Sequence, residues 1–159
     1  MITVTSHLSE KVVGEALIPG DKSISHRSLM IGASAIGETK VTGLLESDDV
    51  IATVHALRCL GVDIEKDEKN GVWIISGRGV GGLSQSNKIL DLGNSGTAAR
   101  LLMGMVASHP FRTLFSGDSS LCSRPMDRVL SPLKRMGAQF GELNTGYLPI
   151  TVFGTDLLK

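Results

Sequence analysis

Aromatic residues are few in this 159-residue chain: four Phe, one Trp and one Tyr are the whole supply for stacking on bases. Neither charge is in surplus, because sixteen Lys and Arg balance sixteen Asp and Glu. A neutral chain with so few stacking platforms has no field to hold a nucleic acid or an anionic membrane surface, so neither partner is expected. Cysteine is scarce too. Cys59 and Cys122 form no CxxC pair, which reads as one small buried thiol and one loop thiol, not as a disulfide framework or metal site. His7, His26, His55 and His109 lack the spacing of metal ligands, and no metal is expected. No apolar run approaches a membrane span, and Met1 to Val13 lacks the apolar core of a secretory signal; an intracellular, cytoplasmic setting is the expectation. The hydrophobic fraction of 42% is enough for a folded core.

What the chain does have is the same device built twice. Gly20-Asp21-Lys22-Ser23-Ile24-Ser25-His26-Arg27 returns as Gly93-Asn94-Ser95-Gly96-Thr97-Ala98-Ala99-Arg100. Each copy opens on glycine and small polar residues and runs into an apolar helical segment that carries an arginine. Backbone N–H groups at a helix start point outward, the helix dipole favours negative charge, and a nearby guanidinium offers a planar fork for phosphate or carboxylate. The correspondence continues at an offset of about 75 residues, as internal repeats do. Val54 to Val62 answers Leu130 to Ala138, Gly43 answers Gly117, and Gly77 answers Gly154.

Patterning fills in the elements. Ile2 to Thr5 and Lys11 to Ile18 read as strands, stopped by Pro19-Gly20. Ser23 or Ser25 is expected to cap a helix reaching about Ala35, closed by Gly37. A β-rich run over Thr39 to Leu45 precedes the capping cluster Ser47-Asp48-Asp49 and a helix ending at Gly61. Asn70-Gly71 marks a hairpin between Val62 to Lys66 and Val72 to Ser76. After a Gly- and Ser-rich connection over Gly77 to Asn87, the order repeats: a strand over Ile89 to Leu92, a helix over Thr97 to Ser108, a strand over Thr113 to Phe115, a helix within Pro125 to Met136 and strands near Ala138 to Phe140 and Leu148 to Phe153. Pro132 is expected to kink or restart its helix. The fold class is α/β, with helices on one face of small mixed sheets and open edges that suit part of a larger pseudo-symmetric domain.

Three ordered motifs now become specific: Pro19 to Arg27, Leu92-Gly93-Asn94-Ser95-Gly96-Thr97, and Asp118-Ser119-Ser120-Leu121-Cys122-Ser123-Arg124-Pro125-Met126. With them the chain resembles the N-terminal part of the 5-enolpyruvylshikimate-3-phosphate synthase family, over essentially its whole length. The resemblance implies the inverse α/β barrel of repeated βαβαββ units, with about two repeats present, at 20–85 and 86–159. Residues 1–19 would belong with a second domain that this chain lacks, as it lacks a third repeat. The implied reaction moves the enolpyruvyl group of phosphoenolpyruvate to the 5-hydroxyl of shikimate 3-phosphate and releases phosphate, without a cofactor. Both substrates are polyanions, and fixed cations and N–H donors offset their repulsion.

By the same resemblance Lys22 reaches both substrates, Ser23 and Arg27 bind shikimate 3-phosphate, and Gly96 and Arg124 bind phosphoenolpyruvate. Asn94 and Thr97 shape the second loop. Plainer readings stand beside these: Lys22 as a solvated loop lysine, Ser23 as a cap, Gly96 as a tight-turn residue. For Asp49, capping its helix is preferred to orienting Lys22, and Arg100 is taken as a structural helix residue. Glyphosate, which occupies the phosphoenolpyruvate site in the family, is the implied inhibitor. The loop sequences are similar to a bacterial subgroup often less sensitive to it. Family members run to well over twice this length, so the chain is expected to be a fragment whose acid, base and further arginines lie in a remaining C-terminal portion. Other readings are UDP-N-acetylglucosamine enolpyruvyl transferase, whose reactive-cysteine loop does not fit convincingly at Cys122, and a non-catalytic phosphate-binding module.

Overall fold

The computed structural model describes residues 3–141 and 146–158. Helix α1 (Lys22–Ser34) leads into strand β1 (Ile36–Thr42), helix α2 (Asp48–Cys59) and the hairpin β2 (Asp63–Asp67) and β3 (Val72–Arg78). Strand β4 (Leu90–Asp91) then precedes α3 (Gly96–Ala107), β5 (Arg112–Ser116), the short α4 (Ser119–Cys122), α5 (Asp127–Arg135), β6 (Gln139–Phe140) and β7 (Ile150–Phe153). The first sheet has the order β1-β3-β2, all antiparallel, and the second has β4-β5-β7-β6, in which β4 runs parallel to β5. The run β5-β7-β6 repeats β1-β3-β2 strand for strand.

Packing follows the apolar periodicity. In α1, Leu29 and Ala33 are buried and the helix rests on β3; a Cβ added at Gly32 would sit 3.4 Å from the Ile75 Cβ, so small residues let the helix lie close on the sheet. Helix α2 buries Val50, Val54 and Leu57. Helix α3 is apolar on more than one side, with Ala98, Ala99, Leu102, Met103, Val106 and Ala107 buried, because it packs against α2, α5 and β7. It is the link between the two sheets' helical layers.

Glycine contacts carry the repeat into the backbone. A Cβ at Gly77 would collide with the carbonyls of Gly32 and Ala35 at the end of α1, and one at Gly154 would collide with those of Val106 and His109 at the end of α3. A Cβ at Gly20 would run into the Gly43 carbonyl, and one at Gly117 would stand 2.6 Å from the Gly93 carbonyl. Only a residue without a side chain permits these approaches.

Three local expectations are corrected, and one short element is new. No strand forms over residues 3–20, and Ile2 lies outside the described residues. Val12, Val13, Leu17 and Ile18 are exposed; alternation prepares a strand, but a ladder also needs a neighbouring edge, and among the described residues no partner pairs with this segment. The cap of α1 is Asp21, whose carboxylate accepts from the Ile24 N–H at 2.7 Å, while Ser23 and Ser25 are already helical. Helix α5 runs through Pro132 and does not restart there; the proline forfeits a single backbone donor inside a helix otherwise bonded from Met126 to Met136. The four-residue α4, capped by Asp118, was not anticipated.

Candidate functional site

Lys22 is the first residue of α1, and its ammonium pairs with the Asp49 carboxylate in the first turn of α2. Asp49 is therefore not the cap expected of it. Ser47 occupies the N-cap position, without a side-chain capping bond, and the helix dipole there favours the Asp48 and Asp49 carboxylates. The Lys22 side chain remains half exposed, at 48%, and so keeps donors free for a second anion. Behind it, Ser25 donates to the Asp21 carbonyl at 2.7 Å and accepts from the Leu45 N–H at 3.0 Å, which fastens the start of α1 to the loop leaving β1. Ser23 and Arg27 are exposed one turn apart on α1.

One turn below the ion pair, His26 is fully buried and its Nδ1 meets the Thr53 hydroxyl at 2.8 Å. Burial disfavours the imidazolium and holds His26 below its ordinary pKa; the Asp49 charge pulls the other way, and those of Lys22 and Arg27 add to the lowering.

The second loop is held by an amide. Asn94 donates to the Asp118 carboxylate at 2.8 Å, and its side-chain oxygen accepts from the Arg124 guanidinium. Arg124 also donates to the Asn94 carbonyl and, at 3.1 Å, to the Ser120 hydroxyl. The bond from Asn94, followed by the Leu121 N–H and the Arg124 charge, keeps the Asp118 carboxyl below its usual range. Ser95 caps α3 by accepting from the Ala98 N–H, and Thr97 is exposed in the first turn.

Gly96 is buried with guanidinium groups beside it: an added Cβ would lie 2.8 Å from Nη1 of Arg100 and 3.4 Å from Nη1 of Arg124. Arg100 is more than a helix residue. It donates to the Gly96 carbonyl and to the Pro125 carbonyl, each at 3.1 Å, and so ties the first turn of α3 to the backbone that follows Arg124. The spacing of Gly96 to Arg100, one helical turn, was the available signal. Among the described residues no hydrogen bond or ion pair joins the Lys22 cluster to the Asn94 cluster, and no group of acidic, His and Cys residues has the arrangement of a metal site. Two cationic clusters, each at the start of a helix, suit anionic ligands.

Comparison with known proteins agrees with the motifs. The family model of EPSP synthase (3-phosphoshikimate 1-carboxyvinyltransferase) matches residues 7–159. A 3-phosphoshikimate 1-carboxyvinyltransferase of Paramagnetospirillum magneticum is 55% identical over 152 residues, 96% of this chain and 34% of the relative. One from Novosphingobium aromaticivorans is 56% identical over 141 residues, 89% of this chain and 32% of the relative. The solved EPSP synthase of Acinetobacter baumannii superposes with a TM-score of 0.84 at 46% identity, over 92% of this chain and 33% of that one. The chain thus spans about a third of the length of the relatives it matches. Its α/β architecture is that of the N-terminal part of the enolpyruvyl transferase fold. On these matches the chain belongs to the EPSP synthase family.

Proposed function

We propose that this chain contributes the anion-holding clusters of an enzyme that transfers the enolpyruvyl group of phosphoenolpyruvate to the 5-hydroxyl of shikimate 3-phosphate and releases phosphate. One observation carries the reading: Gly96 is flanked by the guanidinium groups of Arg100 and Arg124 at the N-terminus of α3, which leaves cations and N–H donors around a position without a side chain. Arg124 then grips phosphoenolpyruvate, with Asn94 and Thr97 shaping the loop. Lys22, steadied by Asp49, reaches both substrates as a movable point charge. Ser23 and Arg27 bind shikimate 3-phosphate from the exposed face of α1. Glyphosate competes at the phosphoenolpyruvate position, and the remaining C-terminal portion supplies the acid and base. Residues 1–19 belong with that portion's domain. A cytoplasmic setting suits a reaction between two phosphorylated small molecules.

Calorimetric titration of the full-length protein tests the assignment. Each charge-assisted contact is worth about 1.5–3 kcal/mol, roughly ten- to a hundredfold in affinity. Arg124→Ala is expected to weaken phosphoenolpyruvate far more than shikimate 3-phosphate, and Arg27→Ala to do the reverse. Equal losses of both ligands in both variants reject it.

A further inference from the structure

Helices α1 and α2 are joined by parallel rungs. Lys22 and His26 stand one turn apart on α1, Asp49 and Thr53 one turn apart on α2, and they meet as the Lys22–Asp49 ion pair and the His26–Thr53 hydrogen bond. The outer rung is half exposed and the inner rung is closed, with both His26 and Thr53 at 0% exposure. Thr53 also reaches the Asp49 carbonyl at 3.4 Å, so the hydroxyl that meets the imidazole touches the backbone that bears the carboxylate. If His26 donates through Nδ1, Thr53 can pass its own hydrogen to that carbonyl, and Nε2 stays an unprotonated acceptor. Nε2 is buried and has no hydrogen-bond partner among the described residues, so the bond to Thr53 is what orients the ring by hydrogen bonding.

We propose that His26 is a positioning residue for Lys22: through Thr53 it fixes the register of α2 so that the Asp49 carboxylate meets the Lys22 ammonium in the orientation used to bind substrate. The inference rests on the role of Lys22 given under Proposed function. Protonating the ring would place a buried cation among Lys22, Arg27 and Asp49, the charged groups around it, where it competes for Asp49. The inner rung therefore acts as a neutral spacer, and the orientation of Lys22 weakens when the spacer gains charge.

The test uses the full-length enzyme and reads KM, kcat and thermal stability together. Thr53→Val removes the hydroxyl at nearly constant volume and is expected to raise KM for both substrates about ten-fold with a smaller change in kcat, the loss of one buried hydrogen bond. Thr53→Ser restores it. His26→Asn keeps a side-chain N–H for Thr53 and is expected to retain most of the affinity while removing the acid-side loss expected of the parent enzyme. Thr53→Val combined with Asp49→Asn should cost less affinity than the product of the separate losses, because both act through one link. A Thr53→Val enzyme that loses thermal stability but keeps both KM values overturns the proposal, as do multiplicative losses in the double variant. Lys22→Met is measured in parallel: if it leaves both affinities intact, the reading of Lys22 fails first and takes the proposal with it, whereas a large loss there beside a silent Thr53→Val rejects the positioning role alone.

Discussion

The two repeats share their backbone and differ in their charges. In both, a glycine at or just past the end of the last strand abuts the C-terminal carbonyls of the unit's first long helix, and a glycine contact fastens the loop before that helix to the end of the strand that follows. The side chains laid on this frame diverge. At α1 a carboxylate caps the helix and a lysine pairs with an acid on a neighbouring helix, while at α3 a serine caps it and the arginines are tied to an amide, a hydroxyl and backbone carbonyls. Close approaches of backbone to backbone are what the duplication cannot alter; the chemistry of each loop was free to specialise.

The sharpest way to break the comparison is to fill the glycine contacts. Gly77→Ala and Gly154→Ala each force a methyl onto helix-end carbonyls, and backbone oxygens cannot step aside as a flexible side chain can. Each is expected to destabilise the full-length protein by about 1–3 kcal/mol or more, with similar losses at the two sites. Chemical denaturation measures this, and a large loss at one site beside none at the other ends the equivalence.

A middling effect is expected from acid, and it belongs to the first repeat. The unfolded His26 takes up a proton near its ordinary pKa of 6.5, whereas the folded, desolvated ring takes it up only at lower pH. Its contribution is therefore intact above pH 6.5 and is lost as pH falls through the lowered value. Denaturation midpoints across that range should fall in the parent protein and flatten in His26→Asn. Parallel curves for the two proteins refute the assignment.

The smallest effect sharpens the contrast from the other side. Gly104 lies within α3 with open space around its Cβ position, so Gly104→Ala meets no obstacle. It should stabilise the protein by about 0.5–1 kcal/mol through helix propensity alone. A destabilising result would mean that α3 is more crowded at Gly104 than its surroundings indicate.

How far the sequence disclosed this design depended on how local each signal was. The turn at Asn70-Gly71 and the C-terminal glycine Gly61 are set by one or two residues and stand where periodicity put them, with positive φ at both glycines. The start of α1 was legible to within a residue or two, but not its cap, because Asp21, Ser23 and Ser25 all carry capping oxygens and only geometry separates them. The Lys11 to Ile18 segment failed for a non-local reason: its β-branched pattern says nothing about whether an edge is present to pair with. In the loops, Lys22, Asn94, Gly96 and Arg124 were nameable by motif. The pairing of Asp49 with Lys22 was open as an alternative but stood second to helix capping, and the link from Arg100 to Pro125 was not foreseen, since both join residues more than twenty positions apart.

The Asn94 amide has one further consequence, in the chemistry of ageing. Both of its ends are committed, the nitrogen to Asp118 and the oxygen to Arg124. Hydrolysis of that amide releases ammonia and leaves a carboxylate. The donor facing Asp118 would become a second negative charge at hydrogen-bond distance, and Arg124 would gain a charged partner that competes with any incoming anion. A single slow deamidation, which changes the mass by about one dalton, would thus turn the loop's organiser into an occupant of the site it organises.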